Sequence, residues 1–373
     1  MSVTLTEIKS RKDMKRFLFL PESINASRPG WVPPLYDDDK EVLNSKINPA
    51  LKYCDTEYRL AWKDGKCVGR VAAIINHKYN EYASDKTCRF GFFDAIDDFE
   101  VVKALVNFAE DWGRQRGMKK IVGPMGFTEE DPEGFIYMGF DENPTISCYQ
   151  NTPIMNEYMD KLGYGKELDW FVYKMDIAKS LTPLYAKMFE RYSRSKLFNL
   201  KEFKSKREIK PYIKPVFKLM NESFDEIYGY SPLSEGDMEH LAKRFMMMVD
   251  PRFIKGVETP EKELIGFMIS IPNFSPGLQK ARGRLFPFGF MHILNASKTS
   301  TQLDSLLGAV KKEYRGRGVD ILIGYSQMKT ALDAGFKIVD SHHIMEHNES
   351  MRAEMERSGS VIYKKFRLYQ KTL

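Results

Sequence analysis

The chain is poor in the residues that build covalent or metal-stapled folds. Its 373 residues include only four cysteines, Cys54, Cys67, Cys88 and Cys148. All four lie in the first half, with no C-x-x-C pair and no Cys/His cluster. A disulfide framework and a zinc site are therefore not expected, and the thiols read as reduced and mostly buried. Long apolar runs are missing too. No window reaches the roughly 18–20 uncharged apolar residues that a membrane helix needs. The opening segment MSVTLTEIKSRKDMKRF has no apolar core of the kind a secretory signal carries. A strong charge of one sign is absent as well: 57 basic residues face 51 acidic ones, a net charge of +6. That balance suits an anionic small molecule or a lipid surface and argues against nucleic acid. A cytoplasmic protein, peripheral at most to the inner face of a membrane, is expected.

What is present is a globular composition, 43% hydrophobic and 13% aromatic, at a length that suits two domains rather than one core. The stretch Leu306–Gly335 carries the strongest local signal. An apolar run (Leu306, Leu307, Ala309, Val310) leads into the basic, glycine-rich turn Tyr314-Arg315-Gly316-Arg317-Gly318. A helical pattern follows at once, with Ile321, Leu322, Tyr325, Met328 and Leu332 spaced by three and four. A strand feeding a glycine turn onto a helix start makes an anion site, because the first-turn N–H groups lack intrahelical partners and the dipole is positive there. Gly316 and Gly318 allow close approach of backbone to phosphate, and Arg315 and Arg317 add charge.

This stretch resembles the acyl-CoA signature of the GNAT superfamily, Arg/Gln-x-x-Gly-x-Gly/Ala, whose loop wraps the pyrophosphate of coenzyme A. Arg315 and Gly318 match; the last position is Asp320 in place of Gly or Ala.

The order of elements supports the same reading twice over. In the first half, strands are expected at Val3–Ile8, Tyr58–Trp62, Val68–Ile75, Arg89–Ile96 and Lys120–Val122. The turn Lys63-Asp64-Gly65-Lys66 makes the second and third a hairpin, and Asp98 caps a helix over Phe99–Arg116. The connection Asp94-Ala95-Ile96-Asp97-Asp98 has no glycine and three acids, so this half is expected to lack a working phosphate loop. Gly123–Asp141, dense in glycine, proline and acid, reads as a structured surface loop. The second half restarts the order: strand Phe198–Phe203, helices Ile209–Phe224 and Gly236–Val249, and strands Phe253–Val257 and Glu263–Ile271. An insertion, Pro272–Ser300, then precedes strand Ser305–Lys311, the glycine turn, strand Lys337–Met345, helix His347–Arg357 and strand Val361–Gln370. The expected fold class is α/β (α+β): tandem GNAT-like folds at 1–178 and 179–373, each a mixed, mostly antiparallel twisted sheet flanked by helices.

A narrower resemblance rests on Gly123-Pro124-Met125-Gly126-Phe127-Thr128, Gly134, Gly139-Phe140-Asp141, Asp169-Trp170-x-x-Tyr173-Lys174, Gly283–Phe290 and Glu346-x-Asn348. These look like hallmarks of the YghO-like branch, which includes the bacterial ceramide synthases. The resemblance implies an acyl-CoA-dependent N-acyltransferase, with acyl-CoA or acetyl-CoA as co-substrate, no metal, and a small-molecule or lipid amine, such as a sphingoid base, as acceptor. It places the cofactor against Val310, Arg315, Gly316, Arg317, Gly318, Val319, Asp320 and Asn348. Asn348 also reads as an N-cap.

Acyl transfer to an amine needs a held thioester, a neutral amine, a stabilised oxyanion and a proton for the thiolate. Glu346, at the end of the strand Lys337–Met345, is the base candidate. His343 on that strand is the second, and Tyr363 on the last strand is a candidate acid. The absence of cysteine from the second half fits direct attack without a thioester enzyme. The insertion places Lys280, Arg282 and Arg284 before Leu285, Phe286, Phe288, Phe290, Met291, Ile293 and Leu294. That pattern suits contact with anionic lipid or a greasy entrance for a lipid substrate. Two other classes stay open: a small-molecule N-acetyltransferase using acetyl-CoA, and a catalytically silent GNAT-fold binding protein.

Overall fold

The computed structural model describes residues 2–146 and 148–373. They fall into two units that are not contiguous in sequence. The first comprises Met1–Phe171, Ser275–Asn295 and Tyr363–Leu373; the second comprises Val172–Phe274 and Ala296–Ile362. The chain therefore crosses between units four times, rather than once near residue 178. Part of the insertion and most of the last strand fold with the first unit.

In the first unit the strands are β1 (Thr4–Glu7), β2 (Cys54–Lys63), β3 (Lys66–Asn76), β4 (Thr87–Ala95), β5 (Lys120–Gly123), β6 (Phe135–Met138) and β7 (Gly165–Asp176), whose end from Val172 lies in the second unit. The order β1-β2-β3-β4-β5 continues through the chain's last strand, Val361–Thr372, to β7, and β6 pairs with that last strand too. β2 and β3 form the hairpin around Asp64 and Gly65, both at positive φ as the two central positions of a tight hairpin turn demand. The period-two geometry of β3 explains its near-continuous apolar sequence. Val71, Ala73 and Ile75 join the core under the helix Phe99–Gln115, while Ala72 and Ile74 join the core of the opposite face with Phe17, Leu20 and Phe127. Asp98 caps the helix, accepting from the N–H groups of Glu100 and Val101.

In the second unit the strands are β8 (Asn199–Glu202), β9 (Ile254–Glu258), β10 (Leu264–Pro272), β11 (Gln302–Val310), β12 (Ile338–Asp340) and β13 (Ile344–Met345). They run β12-β11-β10-β9-β8, with β12 and β13 both pairing with the end of β7. The last strand of the chain, Val361–Thr372, is β14. Helices Ile213–Ser223 and Val319–Asp333 supply two cores, one around Phe217, Met220, Leu264 and Phe267, the other around Val257, Ile265, Val319, Leu322 and Ile323. Gly266 sets how close the second of these helices lies to the sheet, since a Cβ there would meet Val319 at 2.7 Å and Ile323 at 2.9 Å. Among the described residues no helix is long and apolar enough to cross a membrane.

Each unit thus holds a mixed, mostly antiparallel sheet in which one described pair is parallel, β4/β5 in the first and β11/β12 in the second. The insertion forms two short helices, Ser275–Ala281 and Gly289–Thr299. The strand expected over Lys337–Met345 is broken: β12 ends at Asp340, and His342 turns to φ +56° before β13 resumes.

Candidate functional site

The glycine turn of the second unit follows β11 through a single 3-10 turn, Lys312–Tyr314, and enters the helix Val319–Asp333. Gly316 sits at φ +70° and Gly318 at φ +91°. At Gly318 a side chain is excluded on two grounds, the left-handed backbone and a Cβ that would lie 2.5 Å from the Tyr192 ring. Gly318 is the N-cap, so no side chain closes the start of this helix. First-turn N–H groups therefore have no side-chain acceptor at the positive end of a 15-residue helix dipole.

The charges around the turn divide into spent and available ones. Lys311 binds Glu263 at 2.6 Å and Glu313 at 3.2 Å, and these carboxylates hold its ammonium above the usual range. Lys312 binds Asp225 at 2.9 Å and Glu226 at 3.4 Å. Arg315 donates from Nε to the Val310 carbonyl at 3.1 Å, reaches Glu226 only at 4.0 Å, and leaves 47% of its side chain exposed. Arg317 is exposed over the Tyr314 ring at 5.9 Å. Asp320 is exposed in the first turn, where a carboxylate suits the dipole, and its charge acts on Arg357 and Tyr185. The residues present fit a polyphosphate: free amides, two small residues and two cations converge on one turn.

Beside the turn the parallel pair comes apart. β11 and β12 are in register only from Gln302↔Ile338 to Asp304↔Asp340. β11 then runs on to Val310 against β10 alone, and from Ser305 onward it is half-buried, with Gly308 exposed. β12 has meanwhile turned away at Asp340. Among the described residues no further strand pairs with the edge of β11 that faced it.

The first unit has the same fork, and there it is filled. β4 and β5 pair from Thr87↔Lys120 to Arg89↔Val122. Past that point the Met125 N–H donates to the Phe90 carbonyl at 2.9 Å. A Cβ on Gly91 would lie 2.3 Å from the Met125 carbonyl oxygen. The Tyr149 hydroxyl is hydrogen-bonded by the backbone of Phe93 and Phe92. The acids of the β4–helix connection are committed as well: Asp94 to Arg70 at 2.7 Å, Asp97 to the Thr152 hydroxyl at 2.6 Å, and Asp98 to the helix cap and Lys63.

The segment expected as a surface loop, Gly123–Asp141, proves largely internal: Met125, Phe127, Asp131, Glu133 and Phe135 are all buried. Asp131 folds it, accepting from the Phe127 N–H at 2.8 Å and the Thr128 N–H at 3.3 Å. Buried Arg89 donates to the Phe127 carbonyl at 3.0 Å. Burial raises Glu129 well above the usual carboxylate range, and Glu130 raises it further. Burial raises Glu133 in the same way, against the pull of Arg89. Glycine and acid content signal a loop but not its burial; only the alternating Met125, Phe127, Phe135 hinted at it.

The catalytic candidates do not gather in one unit. Glu346 lies in the second, just after β13, with 16% of its side chain exposed and an Oε1 4.0 Å from His347 Nε2. His343 is half-buried; its N–H donates to His342 Nδ1 at 2.7 Å, and the two rings meet edge to face at 4.8 Å. It lies on irregular chain, not on a strand, because Ser341 is drawn to β7 by the Tyr173 N–H and the His342 N–H is held by Asp340 at 2.7 Å. Tyr363 belongs to the first unit, on β14 beside Lys364. Asn348 accepts from the Met351 N–H at 3.1 Å at the start of the helix Glu349–Arg357.

Sequence reasoning passed over three residues of the second unit. Asp304 and Asp340 are fully buried and face each other in register at the fork. Asn273 and Gln302 each donate to Asp304 at 2.8 Å. Arg352 donates to the Glu346 carbonyl at 3.0 Å and to the Tyr173 hydroxyl at 3.4 Å, holding the turn that carries Glu346. Only the charged residues at buried strand positions could have flagged the aspartates.

A strand order that occurs twice, each time with a parallel pair that forks, defines the tandem GNAT fold. A tandem GNAT protein from the clavulanic acid biosynthesis pathway superposes with a TM-score of 0.57 over 100% of this chain and 98% of its own, at 12% identity. A GCN5-related N-acetyltransferase from Sphaerobacter thermophilus gives 0.50 over 99% and 95%, at 11% identity. In sequence, the chain is similar to the bacterial ceramide synthase of Caulobacter vibrioides, 26% identical over 100% of this chain and 98% of that one. It is also similar to protein YghO of Escherichia coli, 28% identical over 98% and 94%. No family model matches the chain.

Proposed function

We propose that the chain is an acyl-CoA-dependent N-acyltransferase whose second unit binds the thioester and whose first unit has given up that role. The observation that carries this reading is the contrast between two forks of one topology: one is filled by Met125 and Tyr149, while in the other β11 runs on without a second strand toward an arginine-flanked helix start that no side chain caps. The turn Arg315–Asp320 would hold the pyrophosphate. The edge of β11 near Val310 that pairs with no second strand would receive the pantetheine arm and hold the thioester carbonyl on a backbone N–H, with Asn348 as a further contact to the arm.

In this scheme the neutral amine attacks the carbonyl carbon, forming the C–N bond and an oxyanion that the β11 amide stabilises. Collapse breaks the C–S bond and expels the thiolate. Glu346 takes the ammonium proton through water, and a proton returns to the sulfur. His343 would serve that exchange as second base. For the acceptor we propose a long-chain amino alcohol of the sphingoid type, on the full-length similarity to a protein named a ceramide synthase.

The test is release of free coenzyme A thiol from acetyl-CoA and palmitoyl-CoA, with and without a sphingoid base. The scheme expects amine-dependent release, and a fall of about 10²–10⁴ in Glu346→Gln, the range for general base catalysis. Coenzyme A binding without amine-dependent release would mean a silent binding protein. Release from acetyl-CoA alone, to small amines, would point to a small-molecule acetyltransferase.

A further inference from the structure

Apolar side chains scattered singly over a surface are ordinary, but clustered ones are not. Thirteen large hydrophobic side chains are exposed among the described residues, and five of them fall between Phe286 and Leu294. Phe286 is 77% exposed, Phe288 67%, Phe290 42%, Met291 56% and Leu294 55%. The helix Gly289–Thr299 that carries three of them has no buried residue on any face.

The segment is nonetheless held firmly. On the first unit, Arg284 binds Glu22 at 2.6 and 3.1 Å and lies over the rings of Phe19 at 5.0 Å and Tyr36 at 5.4 Å. The Tyr36 N–H donates to the Gly283 carbonyl at 2.9 Å, and Gln279 donates to the Trp31 carbonyl at 3.0 Å. The tip closes on itself through the Phe290 N–H to the Leu285 carbonyl at 2.9 Å. Gly289 is required there, because a Cβ would lie 1.7 Å from the Arg284 carbonyl oxygen. Phe286 and Phe288 are therefore displayed by a fixed turn.

Charge selects the occupant. Between Glu263 and Asp304 the chain carries no Asp or Glu at all. Lys280 and Arg282 are exposed at the base of the apolar tip, His292 is exposed on its helix, and Lys298 stands in that helix's last turn. The acids that do reach the segment are used: Glu22 on Arg284, and Asp37 on Lys40 and the Leu285 N–H. An apolar protrusion ringed by cations, with no complementary acid of its own, matches the two layers of an anionic bilayer surface, headgroup phosphate above acyl chain.

We propose that the segment 280–294 docks the protein on anionic membranes, with Phe286 and Phe288 entering the acyl boundary and Lys280 and Arg282 meeting the headgroups. This does not depend on the acyl-transfer reading, and its test reads no activity.

The experiment is co-sedimentation of the full chain with vesicles of phosphatidylcholine, and of phosphatidylcholine mixed with phosphatidylglycerol. Three proteins are compared: the unaltered chain, Phe286→Ser/Phe288→Ser and Lys280→Glu/Arg282→Glu. Because all four side chains are exposed, each variant is expected to keep the parent's melting temperature. The unaltered chain should sediment with the phosphatidylglycerol vesicles, and less so as salt rises. The serine variant should lose at least about tenfold in partitioning, since two buried phenylalanines contribute well over the 1.4 kcal/mol that a factor of ten needs. The charge-reversed variant should lose its preference for the anionic vesicles. No sedimentation with either vesicle, or equal sedimentation of the parent and the serine variant, overturns the proposal. A concentration-dependent dimer abolished in the serine variant, without vesicle binding, would overturn it in favour of a second copy of the chain.

Discussion

Glu133 is 7% exposed, with Glu130 and Asp131 both disfavouring its charge. Its carboxyl is raised well above the ordinary 4.5 by burial. The native state therefore holds a proton that the unfolded state gives up. The sign follows: the stability from neutral Glu133 is complete below about 4.5 and is lost as pH rises through the raised native value. Glu133→Gln, neutral at every pH, should flatten the fall in melting temperature as pH rises above about 4.5. Thermal denaturation across that range checks this; parallel curves for the two proteins would refute it. The sequence showed the acids of this loop but not their state. Titration depends on burial, and burial here comes from Asp131 and Arg89 folding the loop inward. By contrast, Gly318 could be read directly, because only glycine satisfies a left-handed N-cap pressed against a ring.

Among the elements, hairpins and capped helices were the most legible. The Asp64-Gly65 turn and the Asp98 cap are short-range devices, and the chain names them locally. The fate of β14 was not legible. Its alternation marks a strand, but nothing local says that Tyr369, Gln370, Lys371 and Thr372 pair with β5 at Gly123, Val122, Ile121 and Lys120. That pairing makes the C-terminus part of the first unit's core, with Phe366, Leu368 and Tyr369 buried and the Tyr369 hydroxyl donating to Asn156 at 2.9 Å. Leu368→Ala should cost about 2–5 kcal/mol, the usual range for a buried leucine. The loss should fall on the first unit, so limited proteolysis of the variant should first cut within residues 1–171. First cuts within 172–274 would contradict that placement. His343 marks another limit. Apolar flanks at Ile338, Val339, Ile344 and Met345 suggested one strand, but the Asp340 carboxylate and the Ser341 hydroxyl draw the backbone out of the sheet between them.

On the scale of the whole molecule, two units share one strand order and differ in what fills the fork. The first closes its fork with a glycine-rich return of its own chain, which explains why three acids could accumulate at its β4–helix connection. In the second, β11 runs past Asp304 with no further strand on that edge among the described residues, and glycines and arginines stand at the corresponding turn. The sequence marked this asymmetry through the turns alone, since that edge of β11 is backbone and has no side-chain signature. We propose one thioester site per chain, in the second unit. Isothermal titration of the full chain with coenzyme A, beside Arg315→Glu/Arg317→Glu, tests it most directly. One site per chain is expected, with at least about a tenfold loss of affinity in the variant, since a hydrogen bond to a charged group contributes about 1.5–3 kcal/mol. Two sites per chain, or an affinity unmoved by reversing both arginines, would contradict it.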